Sequence, residues 1–188
     1  MNRSLVIHET IHSPYFIFVR CNGAITDTDI LQRFGLAKYS AARCAPRMGL
    51  YAVLADDGEW TMLADNWHYQ LWHRESTGNA INDIATTYDV FTCSVGDSDD
   101  SFDFIYYRNG KLVRKYVVTD PHYSGGTISE DIGESLKQES DILANSDGQL
   151  KLVLALAKSV GIRTDYAEDE LRVYVSPDVA QRSPEIVA

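Results

Sequence analysis

Residues Phe102–Thr119, FDFIYYRNGKLVRKYVVT, carry the clearest structural signal in the chain. Two runs rich in aromatic and β-branched residues flank Asn109-Gly110. Asn-Gly suits a two-residue type I′ turn, because both central residues need positive φ. The spacing predicts a hairpin. Phe102, Phe104 and Tyr106 then share a face with Val113, Lys115 and Val117. Asp103, Ile105 and Tyr107 share the other with Leu112, Arg114 and Tyr116. The first face is the better core, and it requires Lys115 to snorkel or to lie near an edge.

Upstream, Val90–Val95 reads as a strand. Before it, Thr77 or Asn79 can cap a helix to about Thr87, with Ala80, Ile81, Ile84, Ala85 and Tyr88 on one side. Gly49–Ala55 and Trp60–Ala64 flank Asp57-Gly58, a second turn of hairpin composition, which sets Val53 opposite Met62 and Ala52 opposite Leu63. Asn66–His73 alternates with period two and predicts a third strand beside them. Leu5–Ile7 and Tyr15–Cys21 read as further strands. Thr26-Asp27 opens a short helix carrying Ile30, Leu31 and Phe34, which Gly35 stops, and Leu36–Cys44 continues as a second short helix.

Downstream, Asp120–Gly133 is the longest expected loop. Ser146-x-x-Gln149 has the form of a capping box before a helix over Leu150–Val160. Its apolar stripe is Leu150, Val153, Leu154, Ala157 and Val160, and Gly161 ends it. Leu171–Val175 is the last expected strand. The pattern predicts an α+β fold: a twisted, mainly antiparallel sheet built from two β-meanders, with helices packed on one face. Residues 1–175 form one domain on this reading, and 176–188 a loose C-terminal tail.

With 45% apolar and 23% charged residues among 188, the chain has the composition of a globular protein. No apolar run approaches the ~20 residues of a membrane helix, and the N-terminus lacks the apolar core of a secretory signal. A cytoplasmic location is therefore expected. Cys21, Cys44 and Cys93 are odd in number and widely spaced, which speaks against a zinc knuckle or dithiol site. The net charge of −10 is unevenly placed. Residues 1–50 hold six Lys/Arg against three Asp/Glu, and residues 51–188 hold eleven against twenty-four. Such a balance disfavours nucleic acid and favours basic partners.

His8-Glu9-Thr10-Ile11-His12 matches H-E-x-x-H, in which two histidines on one helix face bind zinc and the glutamate serves as general base. The local composition opposes a helix. Leu5, Val6, Ile7, Thr10 and Ile11 favour a strand, and Pro14 disfavours helical geometry at Ser13. On a strand His8 and His12 stand about 13 Å apart and cannot share a metal. No cofactor or metal is therefore expected. Gly96–Ser101 resembles the start of a calcium loop, yet Phe102 and Arg108 occupy the positions where an EF-hand needs Gly and Glu. Trp67, His68, Tyr69, Trp72 and His73 form an aromatic-histidine cluster, and His122 with Tyr123 lies in the long loop. No phosphate-binding loop and no nucleophile elbow is present.

A compact, acidic, aromatic-rich chain without catalytic motifs resembles, in composition alone, small bacterial immunity or inhibitor proteins. The expected function is a non-enzymatic soluble binding protein that engages a basic protein partner through an acidic face made of Asp97, Asp99, Asp100 and Asp103. The alternatives are a zinc-dependent hydrolase using His8, Glu9 and His12, and a small-ligand module around Trp67, Tyr69 and Trp72.

Overall fold

The computed structural model describes residues 14–66, 71, 75–96, 99–121 and 126–188. Nine strands form one antiparallel sheet: β1 (Tyr15–Arg20), β2 (Ser40–Ala42), β3 (Tyr51–Asp56), β4 (Trp60–Asp65), β5 (Asp89–Val95), β6 (Phe102–Arg108), β7 (Lys111–Thr119), β8 (Thr127–Gly133) and β9 (Arg172–Val175). Their spatial order is β2-β9-β3-β4-β1-β5-β6-β7-β8. β5 to β8 make a four-stranded meander and β3-β4 a hairpin, and β1 pairs with both β4 and β5 to join them. Among the described residues five helices accompany the sheet: α1 (Asp27–Arg33), α2 (Glu75–Ala85), α3 (Glu139–Asn145), α4 (Gln149–Ser159) and α5 (Pro177–Arg182). None is long and apolar enough to cross a membrane.

Burial along the strands reports the layering. In β1, β3 and β4 consecutive residues are buried, so both faces of the central sheet are covered. Phe16 and Phe18 join Met62, Phe91 and Phe104 on the first face, under Leu152, Val153, Leu156 and Ala157 of α4. Tyr15, Ile17 and Val19 point to the second, where α1 brings Ile30 and Leu31 and α2 brings Ile81 and Ile84. The expectation of helices on one face is thereby corrected. The middle of the sheet is sandwiched, because strands with no polar alternation need cover on both sides. β6 and β7 alternate instead, buried on the first face and partly exposed on the second.

Thr26 caps α1 with its hydroxyl, and Asp29 reaches back to the Thr26 backbone N–H. Other expectations change. Leu36–Cys44 holds the short edge strand β2 rather than a helix. α2 begins at Glu75, so Thr77 lies inside it and is buried. The expected loop over Asp120–Gly133 contains β8. Ser146 does not cap α4; its hydroxyl donates to the Ile142 carbonyl and closes α3, while Gly148 precedes α4 at φ 95°. The buried line on α4 runs through Leu152, Val153, Leu156 and Ala157, with Leu150, Leu154 and Val160 half-buried beside it. Residues 176–188, expected as a loose tail, form α5 and a 3₁₀ turn, with Val179 in the core and Val187 bridged to Ala42. Leu5–Ile7 and most of the strand expected at Asn66–His73 lie outside the described residues.

Both expected hairpins form, each with one change. At β3-β4 the turn centres on Gly58-Glu59, with Val53 opposite Ala64 and Ala55 opposite Met62. Gly58 has φ 88°. Asp57 accepts hydrogen bonds from the Glu59 and Trp60 amides, so its carboxylate organises the turn from outside it. The register differs by two residues from the expected one, which leaves every side chain on its expected face.

At β6-β7, Asn109 and Gly110 adopt φ 51° and 74°, with Arg108 opposite Lys111 and Tyr107 opposite Leu112. The ladder then slips by one residue: Tyr106 pairs with Arg114, Phe104 with Tyr116 and Phe102 with Val118. A one-residue bulge moves everything beyond it to the opposite face. This corrects the expected face assignment of β7. Tyr116 and Val118 enter the aromatic core, with Tyr116 5.8 Å from Phe104 between ring centroids. Lys115 leaves it for the second face and pairs with Glu130 at 2.7 Å. Arg114 enters instead.

Candidate functional site

Arg114 is 2% exposed and must find partners where it is buried. Its Nε and Nη2 donate to the Glu139 carboxylate, at 2.7 Å for the closest contact. Glu139 is also 2% exposed, and it accepts from the Leu136 amide as well. Nη1 donates to Asp131 and to the Ile132 carbonyl. The guanidinium lies 5.1 Å from the Tyr116 ring centroid. Donation to Glu139, and then to Asp131, outweighs burial and raises the Arg114 pKa further. The cluster is saturated and is a structural rivet: it ties β7, β8 and the start of α3 together. Gly133 completes it. At φ 87° it sits against the Val113 bulge, where a Cβ would collide with the Val113 carbonyl.

The rivet holds in place a strand with a free side. β8 ends the sheet, and among the described residues no strand pairs with its outer edge. Ile128 is 55% exposed and Ile132 46%. Ile128 lies opposite Val118 and Ile132 opposite Lys115, so one projects from each face of the edge. The two charges within the strand, Glu130 and Asp131, are matched by Lys115 and Arg114. Edge strands are normally defended by charged side chains, proline, bulges or a cover. β8 has a bulge at Ser129 and two part-exposed carboxylates, both engaged with β7, and no described strand covers its edge.

β5 and β7 end at the same end of the sheet, so Asp99–Ser101, after β5, and Asp120, after β7, lie together there. Asp99 meets Asp120 across the gap. Of the four aspartates expected to face a partner, Asp97 lies outside the described residues. Asp99 turns back on its own loop: its Oδ1 accepts from the Ser101 amide and hydroxyl, bonds that hold its carboxyl below the usual range. Asp103 turns inward and accepts from the Ser94 hydroxyl at 2.7 Å. Burial, then Asp103, push the Tyr15 phenol up. Asp100 is exposed, at φ 57°. The structure thus separates the acidic cluster into two residues that build the turn and strand and one, Asp100, that is exposed, as is the Asp120 that meets Asp99.

His8, Glu9, His12, Trp67, His68, Tyr69, Trp72, His73, His122 and Tyr123 lie outside the described residues. Among the described residues no three His, Cys, Asp or Glu converge as a metal site. Cys21 and Cys93 are buried and Cys44 is exposed. Sequence reasoning missed the Arg114–Glu139 pair and the β8 edge. One signal pointed to the bulge, though not to the pair: Lys115 is a misfit on the aromatic face. No family model matches the chain, and comparison with curated proteins and with solved structures gives no significant match.

Proposed function

We propose that the protein is a non-enzymatic binding protein that takes an extended, basic segment of a partner protein along β8. One observation carries the reading: a seven-residue edge strand, fixed by a buried ion-pair cluster, keeps its outer backbone and two isoleucines exposed beside an acidic loop end. Added strands gain affinity from main-chain hydrogen bonds, and alternate side chains supply specificity. Ile128 and Ile132 offer apolar contact on either face. Asp100 and Asp120, with the net charge of −10, favour lysine or arginine and speed encounter.

The test uses two eight-residue peptides, one alternating Lys and Val and one alternating Glu and Val. The Lys-Val peptide should bind saturably and lose affinity between 50 and 300 mM salt, roughly as screening requires. Ile128→Lys/Ile132→Lys should abolish binding while the melting temperature holds. Asp100→Asn/Asp120→Asn should slow association and leave dissociation nearly unchanged. Equal binding of both peptides, or indifference to the isoleucine changes, would refute the reading.

A further inference from the structure

At the other end of the sheet, a groove of about 860 Å³ runs between the Cys44–Leu50 connection and the C-terminal α5 with its 3₁₀ turn. Small-molecule sites fall in the range of ~300–1,000 Å³. Its apolar part is made by Leu50, Val179 and Ile186. Met48 stands on its rim 87% exposed, an unbranched thioether suited to packing against variable shapes. Gly49, at φ 105°, lets the connection approach α5, since a Cβ there would strike the Val179 side chain. The groove is thus shaped at its base by one close backbone approach.

The charges in and beside it are unevenly used. Residues 30–55 hold Arg33, Lys38, Arg43 and Arg47 and no carboxylate, in a chain that is otherwise acidic. Arg33 pairs with Asp83 at 3.1 Å. Arg47 borders the groove from one wall and Arg182 from the other, and neither forms an ion pair with a described residue. Elsewhere Arg20, Arg114, Arg163 and Arg172 are each matched to carboxylates, whereas Arg108 at the exposed β6-β7 turn is not matched to a described residue. Asp178 and Glu185 also border the groove, so its net charge is small. Selectivity for a charged ligand must then come from directed guanidinium contacts rather than from a broad field. Arginine's planar fork suits a carboxylate or phosphate.

We propose that this groove binds a small amphiphilic anion, with its apolar body along Leu50, Val179 and Ile186 and its anionic head between Arg47 and Arg182. The class is a chain carboxylate, and dodecanoate is the probe. The site is independent of the β8 edge.

Cys44 lines the groove and is the exposed one of the three cysteines, so its alkylation reports occupancy. The rate of modification by iodoacetamide, followed by mass spectrometry, should fall at least fivefold and saturably with dodecanoate kept below its micelle concentration. Dodecanol and dodecyltrimethylammonium should protect far less. In Arg47→Gln/Arg182→Gln the difference between dodecanoate and dodecanol should vanish. Met48→Glu, a change at an exposed position, should weaken dodecanoate alone. Absence of protection by dodecanoate in the parent, equal protection by all three head groups, or protection unchanged in the double variant would each overturn the proposal. Unchanged melting temperatures confirm that the variants are folded.

Discussion

Arg114 and Glu139 show how one side chain's position depends on a backbone irregularity beside it. The Val113 bulge turns Arg114 inward, and Glu139 at the start of α3 meets it. Removing one partner leaves the other buried and unpaired. Glu139→Ala should therefore cost about 3–5 kcal/mol in denaturant unfolding. Asp131→Asn should cost about 1 kcal/mol or less, because Asp131 is half exposed. Arg114→Met/Glu139→Leu, an apolar replacement of both, should recover most of the loss. If Glu139→Ala unfolds like the parent, the rivet is not a support of β8. The pair was not readable from sequence, since Glu139 lies 25 residues from Arg114 and no local pattern joins them.

At the scale of elements, what the sequence made legible was what local chemistry decides. Asn109-Gly110 supplies the positive φ of its turn, and Thr26 with Asp29 caps α1. The bulge, the phase of α4 and strand β8 depend on partners distant in sequence. α4 is apolar on more than one side, so the expected stripe at Leu150 and Leu154 and the observed line at Leu152 and Leu156 fit the periodicity equally. Packing decides between them: Leu156 is fully buried and Leu154 half-buried. Leu156→Ala should then cost about 3 kcal/mol and Leu154→Ala about half of that, measured by urea midpoints at constant slope. Equal costs would place the stripe where periodicity alone put it. β8 was hidden because Thr127–Gly133 has two isoleucines and two acidic residues, a pattern whose pairing only β7 reveals.

Across the whole molecule, carboxylates hold distant parts together. Asp27 on α1 receives hydrogen bonds from Arg172 and Tyr174 of β9, at 2.6 to 2.8 Å, and so ties the ends of the chain. Burial pushes the Asp27 carboxyl up, but the bonds from Arg172 and Tyr174 outweigh it and leave the group below its usual value. Burial and Asp27 in turn push the Tyr174 phenol up to about 12. A depressed carboxyl contributes stability that is present above its unfolded pKa, near ~3.9, and is lost as pH falls through the lower folded value. Melting temperature should therefore drop between pH 6 and pH 2.5, and Asp27→Asn should be less stable at pH 6 yet drop by less. Parallel curves for parent and variant would exclude Asp27 from the acid transition. The same scale explains the acidic connections. Asp99 and Asp103 serve the fold, Asp99 through Ser101 and Asp120 and Asp103 through Ser94.

If β8 accepts a basic strand along its open edge, residue-resolved amide hydrogen exchange will show it. With the alternating Lys-Val peptide present at saturation, outward-pointing amides within Thr127–Gly133 should gain at least tenfold protection, while amides of β2 at the opposite edge stay unchanged. Saturating peptide with no added protection in β8, or protection centred on another element, would contradict it.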